Sequence, residues 1–83
     1  MTVNYETQDS RLASFLQLHG AKFEGTEVRD DDRVLIKFSI EPEELAKLKR
    51  AFFEGGQVPA LQFANALKST MHVIREAREL SRS

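Results

Sequence analysis

The residues of this chain whose types suit chemistry are few and scattered. Its two histidines, His19 and His72, lie far apart, and neither has the His-x-x-x-His or His-Glu spacing with which a helix presents zinc ligands. There is no cysteine, so thiolate metal sites, disulfides and a cysteine nucleophile fall away together. The densest carboxylate group is Asp30, Asp31 and Asp32. A calcium loop sets its ligands at alternate positions, with a glycine and a later glutamate; three consecutive aspartates read instead as a solvated turn that discourages edge pairing.

Acid–base chemistry has one combination to draw on, Glu6 and Asp9 beside His19, but a helix-capping role accounts for Asp9. None of Ser10, Ser14, Ser39, Ser69, Ser81 and Ser83 sits in a Gly-x-Ser-x-Gly elbow. Gly55 and Gly56 precede a helix and could offer backbone amides to a phosphate. The stretch lacks Gly-Lys-Ser/Thr, however, and Pro59 has no amide hydrogen to give. The expectation is therefore a protein that is not an enzyme, with no catalytic residue, no cofactor and no metal.

The elements that position these residues follow from the apolar spacing. Val3 and Tyr5 alternate with polar neighbours as in a short strand, after which Leu12, Phe15, Leu16 and His19 share one helical face. Thr7 or Asp9 caps this first helix, Gly20 ends it, and it spans roughly residues 9 to 19, with His19 partly buried at its end. Two runs, AKFEGTEV and RVLIKFSI, flank RDDD and predict an antiparallel hairpin. In the second run Val34, Ile36, Phe38 and Ile40 alternate against Arg33, Leu35, Lys37 and Ser39, so one face is buried; Gly25 marks a bulge, a close backbone approach or a plain loss of regularity in the first.

A second helix is predicted over about residues 42 to 54. Pro42 suits its first position, the glutamates 41, 43 and 44 complement its amide-rich end, and Leu45, Leu48 and Phe52 line one side. Gly55 or Gly56 takes its left-handed cap. A third helix starts at Pro59 and runs to about residue 79, with Ala60, Phe63, Ala64, Leu67, Met71 and Ile74 as the core stripe and His72 exposed on the opposite side. Beside that stripe a second apolar group, Ala66, Val73, Ala77 and Leu80, widens the arc beyond what one core face needs. This strip is the candidate interface. The fold class is α+β in the order β-α-β-β-α-α, one domain over residues 1–83, with a small antiparallel sheet and helices on one face.

Composition narrows the function classes. A hydrophobic fraction of 41% and a charged fraction of 30% are those of an ordinary globular domain. No window approaches the roughly 18 consecutive apolar residues of a membrane span, and MTVNYETQDS has no secretory pattern, so no membrane association and a cytoplasmic location are expected. The net charge of −1 conceals a split. Residues 1–44 carry five Lys/Arg against ten Asp/Glu, and residues 45–83 carry seven against three. The basic surplus includes Lys68, Arg75, Arg78 and Arg82, the candidate nucleic-acid contacts. Glu76 and Glu79 interleave with them and the sequence pI is about 6.1, so a protein partner or a homodimer is favoured over nucleic acid.

Two segments carry a family resemblance. Tyr5, Thr7 and Asp9 followed by Leu12, Ala13, Phe15 and Leu16, and later Val58, Pro59, Ala60, Phe63, Ala66 and Leu67, match a Tyr-x-Thr-x-Asp…Leu-Ala-x-Phe-Leu and a Val-Pro-Ala-x-x-Phe-x-x-Ala-Leu pattern. In this the chain resembles a small domain family of bacteria and their phages whose function is unknown. The likeness covers most of residues 3 to 70 and consists of caps, core positions and a turn; the final MHVIREARELSRS extends the last helix further. It implies a bacterial or mobile-element setting and carries over no catalytic residue. The function expected is a small protein-interaction module that self-associates through its last helix, with a DNA-associated regulator or phage accessory protein as the alternative.

Overall fold

The computed structural model describes residues 1–56 and 58–82; Gln57 and Ser83 lie outside the described residues. The elements run β1 (Val3–Thr7), α1 (Ser10–Leu18), β2 (Lys22–Val28), β3 (Val34–Ile40), α2 (Pro42–Phe53) and α3 (Ala60–Arg82). This is the α+β order expected. The three strands form one antiparallel sheet in the order β1-β3-β2, so the most apolar strand lies in the middle. Val34, Ile36, Phe38 and Ile40 join Leu12, Phe15, Leu16, Leu48 and Ile74 in the core, which places the helices on one face.

Helix α1 is the hub. It touches β1, α2 and α3, and residues 12 to 16 are buried in succession rather than at helical intervals. Its start is fixed by Asp9, whose carboxylate accepts from the amides of Arg11 at 2.9 Å and Leu12 at 3.2 Å. The other candidate cap, Thr7, acts one step earlier, where its hydroxyl oxygen accepts from the Asp9 amide at 3.1 Å. Asp9→Ala removes the acceptor for two first-turn amides and is expected to cost about 1 kcal/mol, read as a lowered urea midpoint with an unchanged slope.

His19 closes the helix as expected but stands exposed, its ring leaning on Phe15 at a centroid distance of 4.5 Å. Helix α2 ends in a glycine cap. The Gly55 amide donates to the Phe52 carbonyl and the Gly56 amide to the Ala51 carbonyl at 2.7 Å, with Gly55 at φ 80. A Cβ on Gly56 would lie 2.7 Å from the Ala51 oxygen and 3.3 Å from Phe15 Cζ, so α2 presses this turn against α1. Phe52 meets Phe15 edge-on at 5.4 Å.

Pro59 sits one residue earlier than predicted. It precedes α3, and its carbonyl accepts the first helical bond, from the Phe63 amide at 2.9 Å. Helix α3 also runs past residue 79, to Arg82.

The largest departure from expectation is the rotation of α3. Its buried residues are Thr70 and Ile74, with Phe63, Ala66, Leu67, Val73 and Ala77 half-buried, whereas Ala60, Ala64 and Met71 of the predicted stripe are exposed. At about 100° per residue the inward arc centres on Thr70, roughly 80° round from the predicted stripe. The reason is a polar contact. The Ser14 hydroxyl lies 3.0 Å from that of Thr70 and 2.7 Å from the Ser10 carbonyl, and Thr70 donates to the Ala66 carbonyl at 3.0 Å. Two small hydroxylated side chains meet between α1 and α3, each with a carbonyl of its own helix in reach, and let the helices approach closely, which a count of apolar residues does not register.

Candidate interaction surfaces

The rotation of α3 redistributes the residues singled out in the sequence. Ala66, Val73 and Ala77 turn inward and are half-buried; Ala77 packs on the core, and Val73 borders a small pocket with Gln17, Phe23, Ile36 and Thr70. Leu80 remains outward, 71% exposed. The strip that looked surplus is mostly the seam of α3 with the body of the domain, because Thr70 joins it to Ile74 and makes it the core face.

The outward arc of α3 carries Ala60, Leu61, Ala64, Lys68, Met71, Arg75, Arg78 and Arg82. Leu61 is 74% exposed. Across the α2–α3 connection, Phe53 is 70% exposed. Its ring meets that of Phe52 edge-on at 5.4 Å. Neither position was singled out in the sequence, although the spacing carries a signal. Phe53 stands about 100° from Phe52, so only one of the two can join Leu45 and Leu48, and Leu61 stands the same angle from Ala60, off the predicted stripe.

The four basic candidates share this arc but do not act alike. Arg78 donates from Nε to the Asp32 carbonyl at 3.2 Å, and Arg82 pairs with the Asp32 carboxylate at 3.6 Å. The end of α3 is thus fastened to the β2–β3 turn, and part of the charge split between the chain's two halves is cancelled inside the molecule. Lys68 and Arg75 are exposed. His72 faces solvent and pairs with Glu76 at 3.4 Å.

The three aspartates form the expected polar turn. The Arg29 amide donates to the Arg33 carbonyl at 2.8 Å, Asp31 pairs with Arg33, and Asp32 adopts a left-handed φ of 64. No three acidic or histidine side chains among the described residues gather as metal ligands.

The face of the sheet away from the helices is held by charge. Lys37 on β3 lies 3.1 Å from Glu27 on β2 and 4.0 Å from Glu6 on β1, and Arg29 reaches the same two acids at 2.9 and 3.9 Å. The Lys37 hydrogen bond, followed by the charges of Arg29 and Lys37, holds the Glu27 carboxyl below its ordinary range. An open depression of about 730 Å³ beside this ring is lined by Glu6, Glu27, Arg29, Asp31, Arg33 and Leu35 among others. Leu35 is buried here, on the face the alternation assigns to solvent, opposite Glu27 in the sheet and at the border of the depression. Cations and anions pair across this face, and the lining of the depression carries an acidic surplus, with Glu6, Glu27, Asp30 and Asp31 against Arg29 and Arg33.

No family model, curated protein or solved structure matches this chain. The family likeness noted in the sequence therefore rests on its motif positions, which the fold explains as a cap (Asp9), core residues (Leu12, Phe15, Leu16) and a helix start (Pro59). No helix is long and apolar enough to cross a membrane among the described residues.

Proposed function

We propose that this domain is a non-catalytic protein-interaction module of a bacterial or phage cytoplasm. Its partner is another protein or a second copy of itself. The observation that carries this reading is the exposure of two large apolar side chains, Phe53 and Leu61, on either side of the α2–α3 connection. Each fully buried side chain of this size is worth about 1.5–3 kcal/mol, so leaving two in water makes sense where a partner covers them. The interface accordingly shifts from Ala66, Val73 and Ala77, which the core uses, to the opposite side of α3.

Immobilised protein should capture its partner from an extract of its native cell, and Phe53→Glu with Leu61→Glu should abolish that capture while leaving the circular dichroism unchanged. Undiminished capture by the double variant would refute this assignment of the surface. The alternative, a DNA-associated regulator, draws on Lys68 and Arg75, with Arg78 and Arg82 engaged at Asp32. It requires salt-dependent binding to duplex DNA that Lys68→Ala and Arg75→Ala weaken.

A further inference from the structure

A three-stranded sheet has two edges, and here they are treated differently. The edge strand β2 is broken by a register shift between Phe23 and Gly25, with Gly25 at φ 136, and it carries Lys22, Glu24 and Glu27 with α3 packed against it. Bulges, charges and covering helices are the devices that keep an edge from pairing. Strand β1 is less protected: α1 touches it and Lys49 of α2 sits 5.1 Å over the Tyr5 ring on the helix side, but no bulge interrupts it. It runs in unbroken register from Val3 opposite Ile40 to Thr7 opposite Ile36, contains neither proline nor glycine, and has one charge, Glu6.

We propose that the outer edge of β1 receives the β1 strand of a second copy, giving a two-fold dimer with a continuous six-stranded antiparallel sheet. This goes beyond the interaction surface assigned to Phe53 and Leu61 and uses different residues. Its occupant follows from the strand's self-complementarity. A two-fold axis perpendicular to the sheet keeps both sets of helices on one side and requires paired residues to share a face. Pairing all five residues then sets Tyr5 opposite the second copy's Tyr5, Val3 opposite Thr7, and Asn4 opposite Glu6. Shifting the register by two residues one way leaves a shorter overlap, and the other way sets Glu6 against Glu6. In the full register, Val3, 38% exposed in the single chain, gains a neighbour on the helix side, and each Glu6 meets an amide instead of a carboxylate.

Asn4 is exposed and tests the register in both directions. Sedimentation over a micromolar concentration series is expected to show a monomer–dimer equilibrium. Asn4→Glu creates two like-charge cross-strand pairs and should weaken dimerisation by roughly two- to thirtyfold; Asn4→Lys creates two Lys–Glu pairs and should strengthen it by a similar factor that shrinks with added salt. Circular dichroism should be the same for all three proteins. A monomer at every concentration would overturn the inference, as would a dimer to which both Asn4 variants are indifferent. A dimer lost in Leu61→Glu but insensitive to both Asn4 variants would also overturn it, while leaving the α2–α3 surface in place.

Discussion

Phe38→Ala is expected to lower the stability of this domain by about 3–5 kcal/mol, and its thermal midpoint by at least about 12 °C. Phe38 stands in the middle strand, 1% exposed, opposite Tyr5 on one side and Phe23 on the other. The Phe23 ring meets it edge-on at 6.3 Å, and Leu12, Leu16 and Ile74 belong to the same cluster. Truncation empties the place where sheet and helices meet, and a cavity bounded by a sheet and packed helices collapses poorly. A domain of this length has a total stability of about 4–12 kcal/mol, so the loss is a large fraction of the whole. Differential scanning calorimetry or urea unfolding checks it; a change below about 1 kcal/mol would mean that Phe38 does not occupy the core as described.

The second large effect distinguishes the two faces of α3. Val73→Glu should destabilise the fold by about 2–3 kcal/mol, whereas Ala64→Glu should change stability by no more than about 0.5 kcal/mol. The apolar pattern alone predicts the reverse, with Ala64 in the core stripe and Val73 on an outer strip. In the structure Ala64 is exposed, while Val73 is half-buried beside Ile36, Phe23 and Thr70, where a carboxylate loses water without gaining a partner. Urea unfolding of the two variants decides the matter. Equal stabilities would contradict the rotation of α3. It follows that a Val73 variant that fails to associate reports on folding first, and that Leu61 and Asn4 are the better probes of interfaces.

The strands and the β2–β3 hairpin were readable because strand chemistry is local. Four alternating apolar residues on β3, polar residues at the hairpin turn and Gly25 at a register slip each act through their immediate neighbours. The same is true of Asp9 and of the glycines that end α2, since a cap depends on the few backbone groups beside it. Leu45, Leu48 and Phe52 also fell on the side of α2 that the spacing indicates.

The face of α3 was not readable from its own residues. Apolar groups cover about half of its circumference, and spacing cannot choose among arcs that wide. The choice depends on Ser14, which is distant in sequence and whose hydroxyl pairs with that of Thr70. Likewise, nothing along the chain indicates that Arg78 would reach the Asp32 carbonyl and Arg82 its carboxylate, or that Leu35 would be buried on the polar face.

By itself, then, the sequence determined the number, order and type of the elements, the inward face of β3 and of α2, and the turns between them, because propensity, capping and short-range alternation act within a few residues. Only the tertiary structure decided which arc of α3 is core and which is surface, that Arg78 and Arg82 reach Asp32, and that β1 is the less protected edge. Those outcomes depend on what lies opposite each element, and a partner across space leaves no mark on local spacing.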